Sequence, residues 1–202
     1  MDDTVVIALF RHGMTEANKR QAYLGWTDSQ LIDTEWSLCG KEYDLIFTSD
    51  LGRCMKTAEK LFPEQRKIKC RGYRELSFGD WECKTYEELK SFQEYRSWVA
   101  NPYSNQPPGG ESFQDFTSRI ENAWRDSIER ILEEEKSSAA IVTHGGVIRY
   151  LLSKYASESK DFWDWLIPYG KGYELVWNRS ALRRGERCIL LQEAVSTAKD
   201  NG

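Results

Sequence analysis

The chain has 202 residues, 40% of them hydrophobic, with 28 Lys and Arg against 32 Asp and Glu and a net charge of −4. That length suits a single domain, residues 1–202, with its own buried core. The mildly acidic balance argues against a general nucleic-acid coat, and no stretch approaches the roughly twenty apolar residues of a membrane span.

Residues 4–10 (TVVIALF) are a continuous apolar run, the pattern of a strand buried on both faces. Residues 44–48 (DLIFT) form a second such run, followed by a helix that begins near Leu51 and continues through 56–61. Residues 66–71 (RKIKCR) alternate, as expected of an edge strand, and residues 85–99 suit a helix. Residues 101–110 (NPYSNQPPGG) are the clear loop signal, rich in Pro and Gly. Ser112 then reads as an N-cap with Asp115 three residues on, and Phe113, Phe116, Ile120, Trp124, Ile128 and Ile131 follow at helical spacing. A strand at 139–143 (AAIVT), a helix at 146–152 and strands at 173–177 (YELVW) and 188–192 (CILLQ) complete the pattern. The tail from 196 to 202 is polar and expected to fray. Strands alternating with helices predict an α/β fold, a mostly parallel central sheet covered on both faces.

The acidic start and short apolar run MDDTVVIALFRH predict neither a signal peptide nor a membrane anchor. Cysteines 39, 54, 70, 83 and 188 are odd in number and contain no C-x-x-C pair. They read as free thiols in a reducing compartment, so a cytoplasmic location is expected. No cysteine begins a C-x5-R loop, which excludes cysteine-phosphatase chemistry.

In parallel α/β sheets ligands bind beyond the carboxyl ends of the strands, so the polar residues that follow each strand matter most. After the first come Arg11-His12-Gly13 and then Asn18; after the second, Ser49 to Arg53; after the edge strand, Arg74-Glu75; after the run at 139–143, His144-Gly145-Gly146. Both histidines of the chain, three arginines and a glutamate therefore converge on one edge. Arginine forks suit phosphate, Asn18 can donate a further bond, and a helix opening at Gly145 and Gly146 favours anions. A neutral imidazole can attack phosphorus while a carboxylic acid protonates the leaving oxygen. The set contains what phosphoryl transfer through a phosphohistidine needs. Glu82 lies close to Glu75 in sequence and is the competing acid.

Four ordered motifs carry a resemblance: R-H-G-x-T-E-x-N (11–18), S-D-L-x-R-x-x-x-T-A (49–58), E-x-x-F-G-D-W-E (75–82) and T-H-G-G (143–146). With P-G-G-E-S at 108–112 they span roughly residues 4–150, and the chain resembles the histidine phosphatase superfamily, with its phosphoglycerate mutase-like three-layer fold. The resemblance implies His12 as nucleophile and Glu75 as general acid and then base. It implies Arg11, Asn18, Arg53 and His144 as the phosphate pocket, with Gly25 and Gly145 at the substrate. It implies no metal or organic cofactor and a small phosphomonoester as partner. His12 should keep its attacking nitrogen unprotonated, with the other ring N–H held by a backbone carbonyl, that of Gly13. For His144, the helix N-terminus and nearby arginines should lower the pKa, while a bound phosphate dianion should raise it.

Mutase members carry a run like E-R-H-Y-G after the acid and a hydroxyl residue before the glycine matched by Gly25. Here Glu75 precedes Leu76-Ser77-Phe78-Gly79, Leu24 precedes Gly25, and the chain is shorter than a typical mutase. These departures favour a hydrolase similar to the broad-specificity and alpha-ribazole phosphatase groups. The alternatives are a mutase-type phosphotransferase, a phosphoprotein phosphatase and a non-catalytic phospholigand-binding module. Residues 81–111 are expected to form a helical lid carrying Trp81, Tyr86, Phe92, Tyr95, Trp98 and Tyr103. Aromatics at that spacing read first as packing, with substrate contact as the alternative. Residues 33–41 (DTEWSLCGK) leave room for barely two turns where relatives have a long helix. Trp36 or a second subunit, in a homodimer, would cover the surface this exposes.

Overall fold

A computed structural model describes residues 3–32 and 40–194. In chain order the elements are β1 (Thr4–Arg11), α1 (Glu16–Lys19), β2 (Leu45–Thr48), α2 (Gly52–Leu61), β3 (Lys67–Lys69), α3 (Tyr86–Leu89) and α4 (Gln93–Ala100). They continue with α5 (Phe113–Glu133), β4 (Ser138–Thr143), α6 (Gly145–Tyr155), β5 (Gly172–Asn178), α7 (Arg179–Arg183) and β6 (Leu190–Glu193). Short 3₁₀ turns occupy Arg71–Tyr73, Gly79–Trp81 and Phe162–Asp164. The shortened-helix stretch with Trp36 and the polar tail lie outside the described residues, apart from Gly40 and Lys41.

The strands form one sheet in the order β3-β2-β4-β1-β5-β6. β3, β2, β4 and β1 are mutually parallel, and β5 and β6 add antiparallel pairs at the far side. Alternation along β1 decides which residues face which layer. Val5, Ile7 and Leu9 pack with Ile141 and Leu175 against Ile120, Trp124 and Ile131 of α5 and Leu151 of α6. Ala8 and Phe10 face the other way with Ala140 and Val142, against Cys54, Ala58 and Leu61 of α2. The sheet thus lies between two helical layers, as the alternating pattern predicts.

α5 starts where expected: the Ser112 hydroxyl accepts from the Asp115 amide, and the buried face runs from Phe116 to Ile131 at helical spacing. Three other elements depart from expectation. The edge strand is only Lys67–Lys69, because Cys70 leads into a 3₁₀ turn that buries the Tyr73 ring. The last strand begins at Leu190 rather than 188, since the Cys188 amide is spent on the Tyr155 carbonyl and the Cys188 side chain is buried.

The expected helix at 85–99 is two helices. α3 has a reciprocal Thr85–Glu88 capping box and ends after one turn; Phe92 points outward and α4 restarts at Gln93. Arg96 donates to the Lys90 and Ser91 carbonyls, which the break leaves without helical partners. The restart lets Tyr95 and Trp98 turn inward together onto Trp81.

Candidate active site

Register builds the site. Arg11 pairs with Thr143 across β1 and β4, and the His12 amide continues the ladder by donating to the Thr143 carbonyl at 2.9 Å. His12 and His144 therefore leave adjacent strands side by side, with ring centroids 5.1 Å apart. One strand over, the Ser49 amide donates to the Val142 carbonyl, which places the Ser49 hydroxyl 2.9 Å from His144 Nε2.

The His12 ring is buried, and its Nδ1 donates to the Gly13 carbonyl at 2.6 Å. That is the backbone partner expected from the sequence. With Nδ1 as the donor, the neutral ring has its lone pair on Nε2. Burial, then the charges of Arg53 and Arg11, hold its pKa well below the ordinary histidine range, against the opposing pull of the Gly13 carbonyl. Gly13 is fixed in turn: its amide donates to the Thr57 hydroxyl, which itself donates to the Arg53 carbonyl. His144 is also held far below the usual range, first by burial and then by Arg53 and His12. Desolvation thus outweighs the arginine charges anticipated from the sequence.

Both arginines are clamped by carbonyls yet keep buried donors. Arg53 donates to the Gly25 carbonyl at 2.6 Å and the Thr27 carbonyl at 3.0 Å, and Asp28 pairs with the same guanidinium at 3.3 Å. Asp28 also accepts the Arg53 amide, supplying the cap that Leu51 cannot give α2. Arg11 donates to the Ile167 carbonyl at 2.5 Å and stacks its guanidinium 3.6 Å from the centre of the Tyr169 ring. The Nε atoms of Arg11 and Arg53 are buried with no hydrogen-bond partner among the described residues. An unmet buried donor costs about 1–3 kcal/mol, so two beside the paired imidazoles suit an anion that would accept from them.

Glu75 Oε2 accepts the Gly146 amide at 2.9 Å, and Oε1 accepts the Leu76 amide at 3.0 Å. Its main chain is held by Trp26 and Arg119, both of which donate to the Glu75 carbonyl. The carboxyl lines a cavity of about 720 Å³ together with Gly146. Glu82 has another occupation: its two oxygens accept from the amides of Gly25, Trp26, Thr27 and Phe78. Four backbone donors tie it to the loops that carry Arg53's partners.

The remaining expected residues divide. Asn18 Oδ1 completes a capping box with Thr15, and the residue lines a crevice shared with Met14 and Tyr169. Gly145 makes room for Arg11: a Cβ there would sit 3.2 Å from the guanidinium carbon. Gly25 gives its amide to Glu82 and its carbonyl to Arg53, so neither group is turned to a ligand. Arg74, counted from sequence among the converging cations, is instead neutralised by two bonds of 2.7 Å to Asp50.

Tyr169, Ser49 and Arg119 are the residues sequence reasoning missed. Ser49 lay in a motif without a role. Tyr169 and Arg119 sit in no motif and reach the site only by folding.

Of the aromatics in 81–111, Trp98 and Tyr103 line the cavity with Glu75. Trp81 and Tyr95 pack internally, and Tyr86 and Phe92 are exposed.

Such a sheet, with its imidazoles and unmet guanidinium donors at one edge, has the phosphoglycerate mutase-like α/β architecture. The sequence matches the histidine phosphatase superfamily (branch 1) over residues 7–184, and the chain belongs to that family. It is 29% identical over 160 residues to an adenosylcobalamin/alpha-ribazole phosphatase of Escherichia coli, covering 72% of this chain and 76% of that one. It is equally 29% identical over 171 residues to a 2,3-bisphosphoglycerate-dependent phosphoglycerate mutase of Bartonella henselae, covering 75% and 81%. The crystal structure of the alpha-ribazole phosphatase from Shigella flexneri superposes with a TM-score of 0.74 at 25% identity, over 85% of this chain and 90% of that one. No described helix is long and apolar enough to cross a membrane.

Proposed function

We propose that the protein is a phosphatase that hydrolyses a small-molecule phosphomonoester through a phosphohistidine on His12, with Glu75 as general acid and base. The observation that carries this is the His12 ring itself. Its Nδ1 proton is held by Gly13, and its neutral form is favoured by burial beside two cations. Nε2 is then the nucleophile.

In the first step Nε2 attacks phosphorus, the bond from phosphorus to the ester oxygen breaks, and protonated Glu75 gives its proton to that oxygen. In the second step Glu75 takes a proton from water as the water oxygen attacks phosphorus. The phosphorus–nitrogen bond breaks and inorganic phosphate leaves. Arg11, Arg53, His144 and the Asn18 amide bind the transferring oxygens, and charge developing there is offset without reorganisation because carbonyls already hold both arginines. Gly25 and Gly145 act through those arginines, one as an acceptor and one by leaving space.

Mutase-type transfer is the second reading, since the Bartonella henselae mutase matches as well as the phosphatase does. The cavity beside Glu75 supports hydrolysis: its lining is mostly aromatic and aliphatic, with Arg149 its one cation. A second anionic group on a mutase substrate would need more.

Phosphate release from 4-nitrophenyl phosphate tests the reading. Rapid quenching should trap an acid-labile phosphoryl group on His12, and His12→Ala should abolish both signals. Release undiminished in His12→Ala would defeat the mechanism. Isomerisation outpacing hydrolysis in the presence of bisphosphoglycerate would favour the mutase.

A further inference from the structure

The cavity beside Glu75 extends well past the space a phosphoryl group needs. One wall is Tyr23, Leu76 and Phe78; α4 and the chain after it add Trp98, Val99 and Tyr103; Phe113 and Phe116 of α5 form the floor. Phe162 and Trp163, from the 3₁₀ turn before β5, complete the lining. Its volume, about 720 Å³, is that of a site for a small organic molecule rather than for phosphate alone.

Three features narrow what it holds. First, Val99, Tyr103 and Trp163 are each about half exposed, at 50%, 52% and 51%, and all three face this one cavity. Large apolar side chains left open and convergent mark a surface meant to be covered. Second, the rings are held rather than loose. Tyr103 meets Phe113 edge-on at 4.8 Å, Phe113 meets Phe162 at 5.5 Å, and Phe162 meets Trp163 at 4.7 Å. A chain of fixed ring edges and faces is complementary to another flat ring. Third, the polar groups are few. A sugar would need many donors and acceptors around its hydroxyls, each costly to bury unpaired. An aromatic cage could also take a quaternary ammonium, but Arg149 stands in this wall and opposes a cation. Its Nε donates to the Trp165 carbonyl and its guanidinium lies 5.7 Å from the Trp163 ring, and no carboxylate among the described residues pairs with it.

We propose that this cavity binds the leaving group, and that the physiological substrate is a phosphomonoester whose alcohol carries an uncharged or anionic aromatic ring system. The inference rests on the phosphatase reading and adds the class of alcohol. The ring enters between Trp98 and Tyr103 on one side and Phe162 and Trp163 on the other. Its phosphoryl end then reaches past Glu75 and Gly146 to His12, and Arg149 faces the acceptor atoms of the ring. Trp163 and Phe162 are specificity-determining residues for this substrate.

The test compares alkyl phosphates whose leaving oxygens are alike: 2-(1-naphthyl)ethyl phosphate, glucose 6-phosphate and choline phosphate. The naphthylethyl ester should show a kcat/KM about 100-fold above the other two, as burial of a bicyclic ring in a matched apolar site allows. Trp163→Ala and, independently, Phe162→Ala should each reduce that preference about tenfold, mainly by raising KM for the naphthylethyl ester. Equal or better turnover of glucose 6-phosphate or choline phosphate overturns the inference and leaves the phosphatase reading intact. So does a preference that neither variant alters. Absence of phosphate release from every ester, 4-nitrophenyl phosphate included, defeats the phosphatase reading and this inference with it.

Discussion

Glu75 and Glu82 sit in one motif and do opposite work. Glu82 binds four backbone amides and holds the loop at 25–27, while Glu75 binds the Gly146 and Leu76 amides and lines the cavity shared with Gly146. Replacing each by glutamine should separate them. Glu82→Gln puts an NH₂ group against amide donors and should cost about 2–4 kcal/mol of stability, read by urea unfolding. Glu75→Gln should lower kcat/KM, which reports phosphoryl transfer to His12 and not the water step shared by all esters, by about 10²–10⁴-fold for alkyl phosphates and much less for 4-nitrophenyl phosphate, whose leaving oxygen needs no proton. An equal loss for both ester types would remove Glu75 as the acid.

The depressed pKa values of His12 and His144 make stability depend on pH in a defined direction. Both rings stay neutral in the fold at pH values where an unfolded histidine, near pKa 6.5, takes up a proton. Protonation therefore favours unfolding. Their stabilisation is complete above about pH 6.5 and is lost as pH falls toward the folded-state values, at up to about 1.4 kcal/mol per pH unit per ring. Between pH 7.5 and 5.5 His144→Gln should flatten the urea-derived stability curve by about 1.4 kcal/mol relative to wild type. A curve parallel to wild type would contradict the burial argument.

Gly145 is a clearance position for Arg11. In Gly145→Ala the new Cβ would lie 3.2 Å from the guanidinium carbon, tight enough to shift a side chain already held by the Ile167 carbonyl and the Tyr169 ring. Catalytic efficiency should fall about tenfold, as expected for misplacement of a phosphate-binding group by well under 1 Å, with Tm nearly unchanged. Inhibition by inorganic phosphate should weaken in parallel. Unaltered phosphate inhibition would place Arg11 outside the anion pocket.

Arg119 positions Glu75 without facing the cavity. It donates to the Gly72, Arg74 and Glu75 carbonyls and grips Glu111 with bonds of 2.6 and 2.8 Å. A lysine cannot reproduce that fork. Arg119→Lys should lower kcat/KM for alkyl phosphates more than for 4-nitrophenyl phosphate, the signature of an acid displaced in the phosphoryl-transfer step. A uniform loss for both esters would indicate a purely structural role.

Much of this protein is written in short-range patterns. Apolar runs mark β1, β2, β4 and β5 because a strand buried on both faces has nowhere to put polar side chains. Strand ends carry Arg11, His12, Ser49 and His144 in order, and parallel pairing brings those ends to one edge, while Glu75 lies six residues past β3 and is held there by Gly146, Trp26 and Arg119. Even the Gly13 partner of His12 was legible, because it is the next residue in the chain. Other features depend on neighbours far away in sequence. Arg74 is paired with Asp50, Glu82 is taken by the loop at 25–27, and Tyr169 arrives under Arg11 from more than 150 residues on. The break between α3 and α4 is of the same kind, since it is packing on Trp81 that turns Tyr95 and Trp98 inward. The sequence by itself determined the parallel α/β class and the family and singled out the candidate reacting groups, all matters of local periodicity and motif. Tertiary structure alone decided which carboxylate lines the cavity, which cations keep unmet donors and which rings lie beside it, because side-chain partners are chosen by distance in space.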